Sequence, residues 1–282
     1  MRRWRLLEST LLAGVVVVLA LMAVSVARRP KSLEGAGNRL LWLDVALLLT
    51  YGIAAAGALY HRSAALHLAI RLGTIAGLLL GAILAANHVV ELFVASRSFA
   101  VVIAPVLLTL ALLSATGSTA AQRTGSLLLA SVAGVWCAVV GTLVLLCAGL
   151  IFGLLSESRA ELWLRVAFAA SGMSDPGGFL VQNALESASE ALVRIPTAAL
   201  FLSLLGALAN AWISNRSRTA ALVIFCSAGL MFAGGASALW YANSLPRSER
   251  PPFVLAGVLL ASLAVSAAHP VWSALRHRLA RA

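Results

Sequence analysis

Leu127–Leu155, with the sequence LLLASVAGVWCAVVGTLVLLCAGLIFGLL, contains no Asp, Glu, Lys or Arg. Crossing the hydrocarbon core of a bilayer takes about 20 consecutive, mostly apolar residues, so this segment sets the class: a membrane helix rather than a core helix of a water-soluble domain. At about 29 residues it exceeds one perpendicular crossing, so it tilts or continues as a helix beyond the membrane. Working outward, Ser9–Ala27, Leu72–Val90, Ser98–Gln122, Ile195–Ile213, Thr219–Ala242 and Phe253–Ala268 lack the same four residue types, and Leu40–Tyr60 is interrupted only by Asp44. The predicted fold is all-α: a polytopic transmembrane helix bundle of about eight spans, at 9–27, 40–60, 72–94, 98–116, 127–150, 195–213, 219–242 and 252–270, forming a single membrane domain over 1–282.

Composition agrees. Hydrophobic residues make up 61% and charged residues 11%, against roughly 25% charged in ordinary soluble domains. A net charge of +11 would suggest a nucleic-acid partner in a soluble protein. Here the arginines stand singly or in small clusters between apolar runs, as membrane-flanking charge does, which argues against nucleic acid and for the lipid bilayer as the partner. Trp42, Trp212, Trp240 and Trp272 fall at predicted span ends, where amphipathic rings prefer the headgroup region; Trp136 is mid-span.

The first span has the outline of a secretory signal as well: a basic start at Met1–Arg5, an apolar stretch at Leu11–Val24, and small residues at Ser25-Val26-Ala27. Its apolar core is longer than a typical signal core and Arg28-Arg29-Pro30 follows at once, so a retained helix is expected. Cleavage would leave seven spans and an outside N-terminus.

Orientation follows from the basic residues. Eleven lie on the side of the N-terminus and ten opposite; discounting the long segment with Arg159, Arg165 and Arg194 leaves eleven against seven. The rule discounts long loops, so both termini are expected in the cytoplasm of a multi-pass protein of the cell (inner) membrane.

The longest stretch between spans, 156–194, is too short to bury a core of its own without disulfides or metal, and it has no Cys. It is predicted to be an extracytoplasmic amphipathic loop of two helices around the turn cluster Met173-Ser174-Asp175-Pro176-Gly177-Gly178. In the second helix Val181, Ala184, Leu185, Ala188, Ala191 and Leu192 recur at helical spacing, opposite Gln182, Asn183, Glu186 and Glu190. Pro196 suits the first turn of the next span. The loop is expected to lie on the membrane surface or to dock, either onto the bundle or onto a protein partner.

Small residues recur every four positions at Gly73, Gly77, Gly81 and Ala85, and again at Ala199, Ser203, Ala207 and Ala211. Such seams let helix backbones approach closely. The first seam predicts which face of its helix points inward, and His88 falls within about 20° of it. One turn on from Asn87 and His88 comes Glu91, making a polar corner; Asp44 enters its span from the same side, with Tyr51 on the same helix face. An ionisable residue inside the membrane is costly and is a site hypothesis by default. Asp44, Tyr51, Asn87, His88 and Glu91 are therefore the candidate polar cluster. It is either a hydrated structural group near the interface or an outward-facing proton, cation or polar-substrate site, with the second and third spans as neighbours.

Other chemistries are argued down. His88-x-x-Glu91 lacks the second His of a metalloprotease helix, there is no G-x-S-x-G elbow, and the only lysine, Lys31, lies in a loop. His61 and His269 lie near the membrane face opposite His88, so neither can join His88 as a bis-His haem pair at one depth. Cys137, Cys147 and Cys226 lie within spans; the first two are about 15 Å apart along one helix, too far for a disulfide. No cofactor is indicated. The functional expectation is a transporter or permease-type component for a small solute or ion. The alternatives are a membrane scaffold or sensor that docks a partner through the outer loop, and, third, a metal-dependent intramembrane enzyme built on Asp44, His88 and Glu91.

Overall fold

The computed structural model describes residues 2–33, 37–61, 63–93, 99–155, 165, 168–169 and 171–214; for 2–8, 91–93, 99–103 and 211–214 it describes the backbone alone. The described chain is helical: α1 (Arg2–Arg28), a 3-10 turn (Pro30–Leu33), α2 (Gly37–Tyr60), α3 (Ala64–Phe93), α4 (Phe99–Thr124), α5 (Leu127–Leu155) and α6 (Pro176–Ser214). All six helices are long and apolar enough to cross a membrane. The expected spans at 219–242 and 252–270 lie outside the described residues.

Local chemistry sets several helix ends. Between α4 and α5, Gly125 adopts φ +67°, where a side chain would be strained. Its N–H bonds the Ala121 carbonyl at 2.8 Å, closing α4. Ser126 then opens α5 by accepting the Leu129 N–H on its hydroxyl at 3.3 Å. Two residues thus reverse the chain, and α4 runs eight residues past the expected end at 116. Asp175 caps α6 by accepting the Gly178 N–H at 3.0 Å, with Pro176 in the first helical position.

At α6 the structure corrects the sequence reading. The second half of the expected loop and the expected sixth span are one helix of 39 residues, with Pro196 in its interior rather than in a first turn. Its apolar run Pro176–Asn210 covers 35 residues. That is about 52 Å of rise against a core of about 30 Å, so this helix tilts or extends beyond the membrane.

The chain divides into two compact units: Met1–His67, Gly77–Arg97 and Ala138–Thr197 form the first; Leu68–Ala76, Ser98–Cys137 and Ala198–Ala282 form the second.

In the first unit, α1 and α2 form a helical hairpin through the 3-10 turn. Gly14 faces Leu143 of α5, and Gly52 faces Val15. The seam of α3 meets α5: a Cβ at Gly81 would collide with Val144, and one at Gly141 would stand 2.9 Å from the Leu80 side chain. The backbone that fits this glycine face is therefore that of α5, not of α2 as the sequence suggested. The apolar stripe of α6 is also used here, with Leu185, Ala188 and Leu192 buried, while Gln182 reaches Gly37 at the start of α2.

The second unit is built on backbone contact. A Cβ at Gly73 would lie 2.6 Å from the Ala133 carbonyl oxygen; one at Gly117 would strike the backbone of Ser203, and one at Gly206 the carbonyl of Ser114. Ala69, Ala120, Ala130, Ala133 and Ala207 form a fully buried cluster beside these contacts. Lipid offers no hydrophobic drive for helices to pair, so close packing of this kind supplies the attraction. Two polar pairs in this unit meet across helices, while the hydroxyls of Thr109 and Ser118 are buried without a hydrogen-bond partner among the described residues. Trp136 donates its ring N–H to Thr74 Oγ1 at 2.9 Å, and Gln122 Nε2 donates to Asn210 Oδ1 at 2.7 Å.

Candidate functional site

The candidate site lies in the first unit and begins with the buried stripe of α2, Gly37, Asp44, Leu48 and Ala55. Steps of seven and four residues keep these positions on one helix face. Asp44 is 0% exposed, and neither carboxylate oxygen has a hydrogen-bond partner among the described residues. A buried carboxylate needs a compensating proton or cation, because an isolated charge out of water is prohibitively costly.

Tyr51 shares this face and has a clear partner. Its hydroxyl donates to the Leu192 carbonyl of α6 at 2.6 Å. That carbonyl is available because of Pro196, which stands four residues on and has no N–H to return to it. A freed carbonyl in a membrane helix must be satisfied from elsewhere, and Tyr51 does so. Thr197 Oγ1 also donates to the Val193 carbonyl at 2.7 Å, adding a second support around the proline.

His88, on α3, lines a cavity of about 460 Å³, within the ~300–1,000 Å³ common for small-molecule sites. Asn183 and Ser187 of α6, one turn apart, line it too; its other walls come from Val18 and Met22 of α1 and from Leu145 to Gly153 of α5. Most of the lining is aliphatic, with the polar side chains few. A smaller cavity of about 80 Å³ is lined by Ser25, Arg28, Arg29 and Gly177, and shares Gly149, Leu150, Gly153, Leu180 and Ala184 with the larger one.

Of the five sequence candidates, Asp44 and Tyr51 are thus placed on one buried face, and His88 lines the cavity. Asn87 is half-buried. The side chain of Glu91 lies outside the described residues. Among the described residues, no three His, Cys, Asp or Glu come together to hold a metal. Sequence reasoning missed Asn183 and Ser187 as cavity residues, and Arg28 and Arg29 as its neighbours. Pro196 was the signal for the Tyr51 contact, since an interior proline always frees the carbonyl four residues before it. Set against known protein families, characterised proteins and solved structures, the chain matches none.

Proposed function

We propose that this chain is an eight-span protein of the inner membrane, with both termini cytoplasmic, that moves a small solute or ion. In this reading Asp44 is the group that meets the passing proton or cation. One observation carries it: a fully buried carboxylate whose two oxygens have no hydrogen-bond partner among the described residues. Groups of this kind inside membrane helices mark ion and proton pathways, because nothing fixed cancels their charge. The apolar runs at 219–242 and 252–270 supply the last two spans, and the excess of Lys and Arg beside short loops supports the orientation. A docking role is the second reading. Glu186 and Glu190 remain exposed on α6, Glu190 paired with Arg194 at 3.0 Å, and offer a charged face to a protein partner.

The test is reconstitution of the full chain into vesicles under imposed proton, sodium and potassium gradients, with and without a mixture of small solutes. Entry is followed by trapped ion-sensitive dyes. Wild-type vesicles should dissipate at least one gradient faster than protein-free vesicles, and Asp44→Asn should return the rate to the protein-free value. Wild-type vesicles as tight as empty ones under every condition would overturn the transport reading. Labelling of Ser174→Cys from the cytoplasmic side would overturn the orientation.

A further inference from the structure

We propose that the cavity of the first unit binds an anionic phospholipid, with one acyl chain inside it and the phosphate held by Arg28 and Arg29. This goes beyond the transport reading and does not depend on Asp44. Polarity along the site follows the order of groups in such a lipid. Arg28 and Arg29 line the small cavity, where the Arg29 guanidinium packs against Gly177, 2.6 Å from where a Cβ would stand. About 9 Å further along α6 from Gly177 comes Asn183, which lines the larger cavity together with His88. That is the depth of a glycerol ester, and the two side chains can hydrogen-bond it. Below them the lining is aliphatic apart from Ser187, from Val18 and Leu145 to Ala191.

Length and charge agree. From Leu180 to Ala191 the cavity follows α6 for about 16 Å, close to half of the ~30 Å hydrocarbon core and so to the depth of one leaflet. Arg28, Arg29 and Lys31 stand within four residues of one another. Against these three cations stands Asp175, which accepts a backbone N–H at the α6 cap, so the charge balance of these four residues is positive and favours a phosphate. The space is also open at the backbone: a Cβ at Gly149 or Gly153, both lining the cavity, would meet nothing within 4 Å among the described residues.

The experiment is purification of the full chain from vesicles holding equal anionic and zwitterionic phospholipid, followed by delipidation in detergent and native mass spectrometry of retained lipid. Wild-type protein should keep about one anionic phospholipid per chain. Arg28→Gln with Arg29→Gln should cut the anionic preference at least tenfold. Gly149→Phe and, separately, Gly153→Phe should abolish retention while leaving the thermal midpoint equal or higher, because they fill existing space. Retention of free fatty acid in place of phospholipid would overturn the proposal. So would the absence of stoichiometric lipid, or retention unchanged in all variants, which would mean ordinary annular lipid only.

Discussion

The two units solve the problem of holding helices together in lipid in different ways. In the second, glycines at 73, 117, 134 and 206 bring backbones into contact with neighbouring helices, and the larger polar side chains, Trp136 with Thr74 and Gln122 with Asn210, are paired off. In the first, glycine contacts on α3 and α5 coexist with a cavity of about 460 Å³, a buried carboxylate without a partner among the described residues, and a backbone carbonyl satisfied by a tyrosine hydroxyl. The contrast separates a region dominated by backbone packing, where the buried groups without a partner among the described residues are the Thr109 and Ser118 hydroxyls, from one that keeps a cavity and a carboxyl unspent. Function is to be sought in the latter.

The largest expected effect breaks the packing side of this contrast. Gly117→Ala puts a methyl group against the Ser203 backbone, and because backbone cannot rotate away the cost should be about 3 kcal/mol, the upper end for overpacking. Gly57→Ala, where a Cβ meets nothing within 4 Å among the described residues, should instead gain up to about 1 kcal/mol of helix propensity. Equilibrium unfolding in detergent micelles measures both, and equal effects would dissolve the distinction between seam and free glycines.

Next is Tyr51→Phe, which leaves the Leu192 carbonyl unsatisfied and should cost about 1 kcal/mol. Pro196→Ala restores an N–H to that carbonyl, so in its background Tyr51→Phe should be nearly neutral. A double-mutant cycle without coupling would show that the hydroxyl does not compensate the proline.

Asp44→Leu sharpens the other side. Replacing an unpartnered buried carboxyl by an apolar group of similar size should be neutral or stabilising by about 1 kcal/mol. A loss above about 3 kcal/mol, seen in the same unfolding assay, would mean that the carboxylate has a fixed partner, and the first unit would then be as closed as the second. Smallest is Gln122→Leu, which removes an exposed contact to Asn210 and should cost about 0.6 kcal/mol, the average for hydrogen bonds between membrane helices.

Much of this was legible in the sequence because helix periodicity is local. Apolar runs located α1 to α5, the second of them broken by Asp44, but only the second half of α6, whose first half was read as a loop helix; there the stripe Val181–Leu192 identified buried positions. The seams were legible as seams. Their partners were not, since a glycine repeat says that a backbone comes close without saying whose; α5 rather than α2 fits α3. Pro196 misled for a related reason. Proline is common in first helical turns and tolerated inside membrane helices, and only the Tyr51 hydroxyl on another helix distinguishes the two. At the candidate site, the sequence left Asp44 open between a hydrated group near the interface and a functional one, and its burial comes from the packing of other segments around it. The cavity beside His88 depends on four helices meeting, which no single segment encodes.

The tyrosine bridge also constrains the timing of biogenesis. Tyr51 and Leu192 are 141 residues apart in the chain, so at ~5–20 residues per second the carbonyl is synthesised roughly 7–28 s after the hydroxyl. During that interval α2 carries both Asp44 and Tyr51 without its final neighbour. The hairpin with α1 is the first partner the nascent α2 has, and α3 to α5 follow it before the Leu192 carbonyl of α6 arrives.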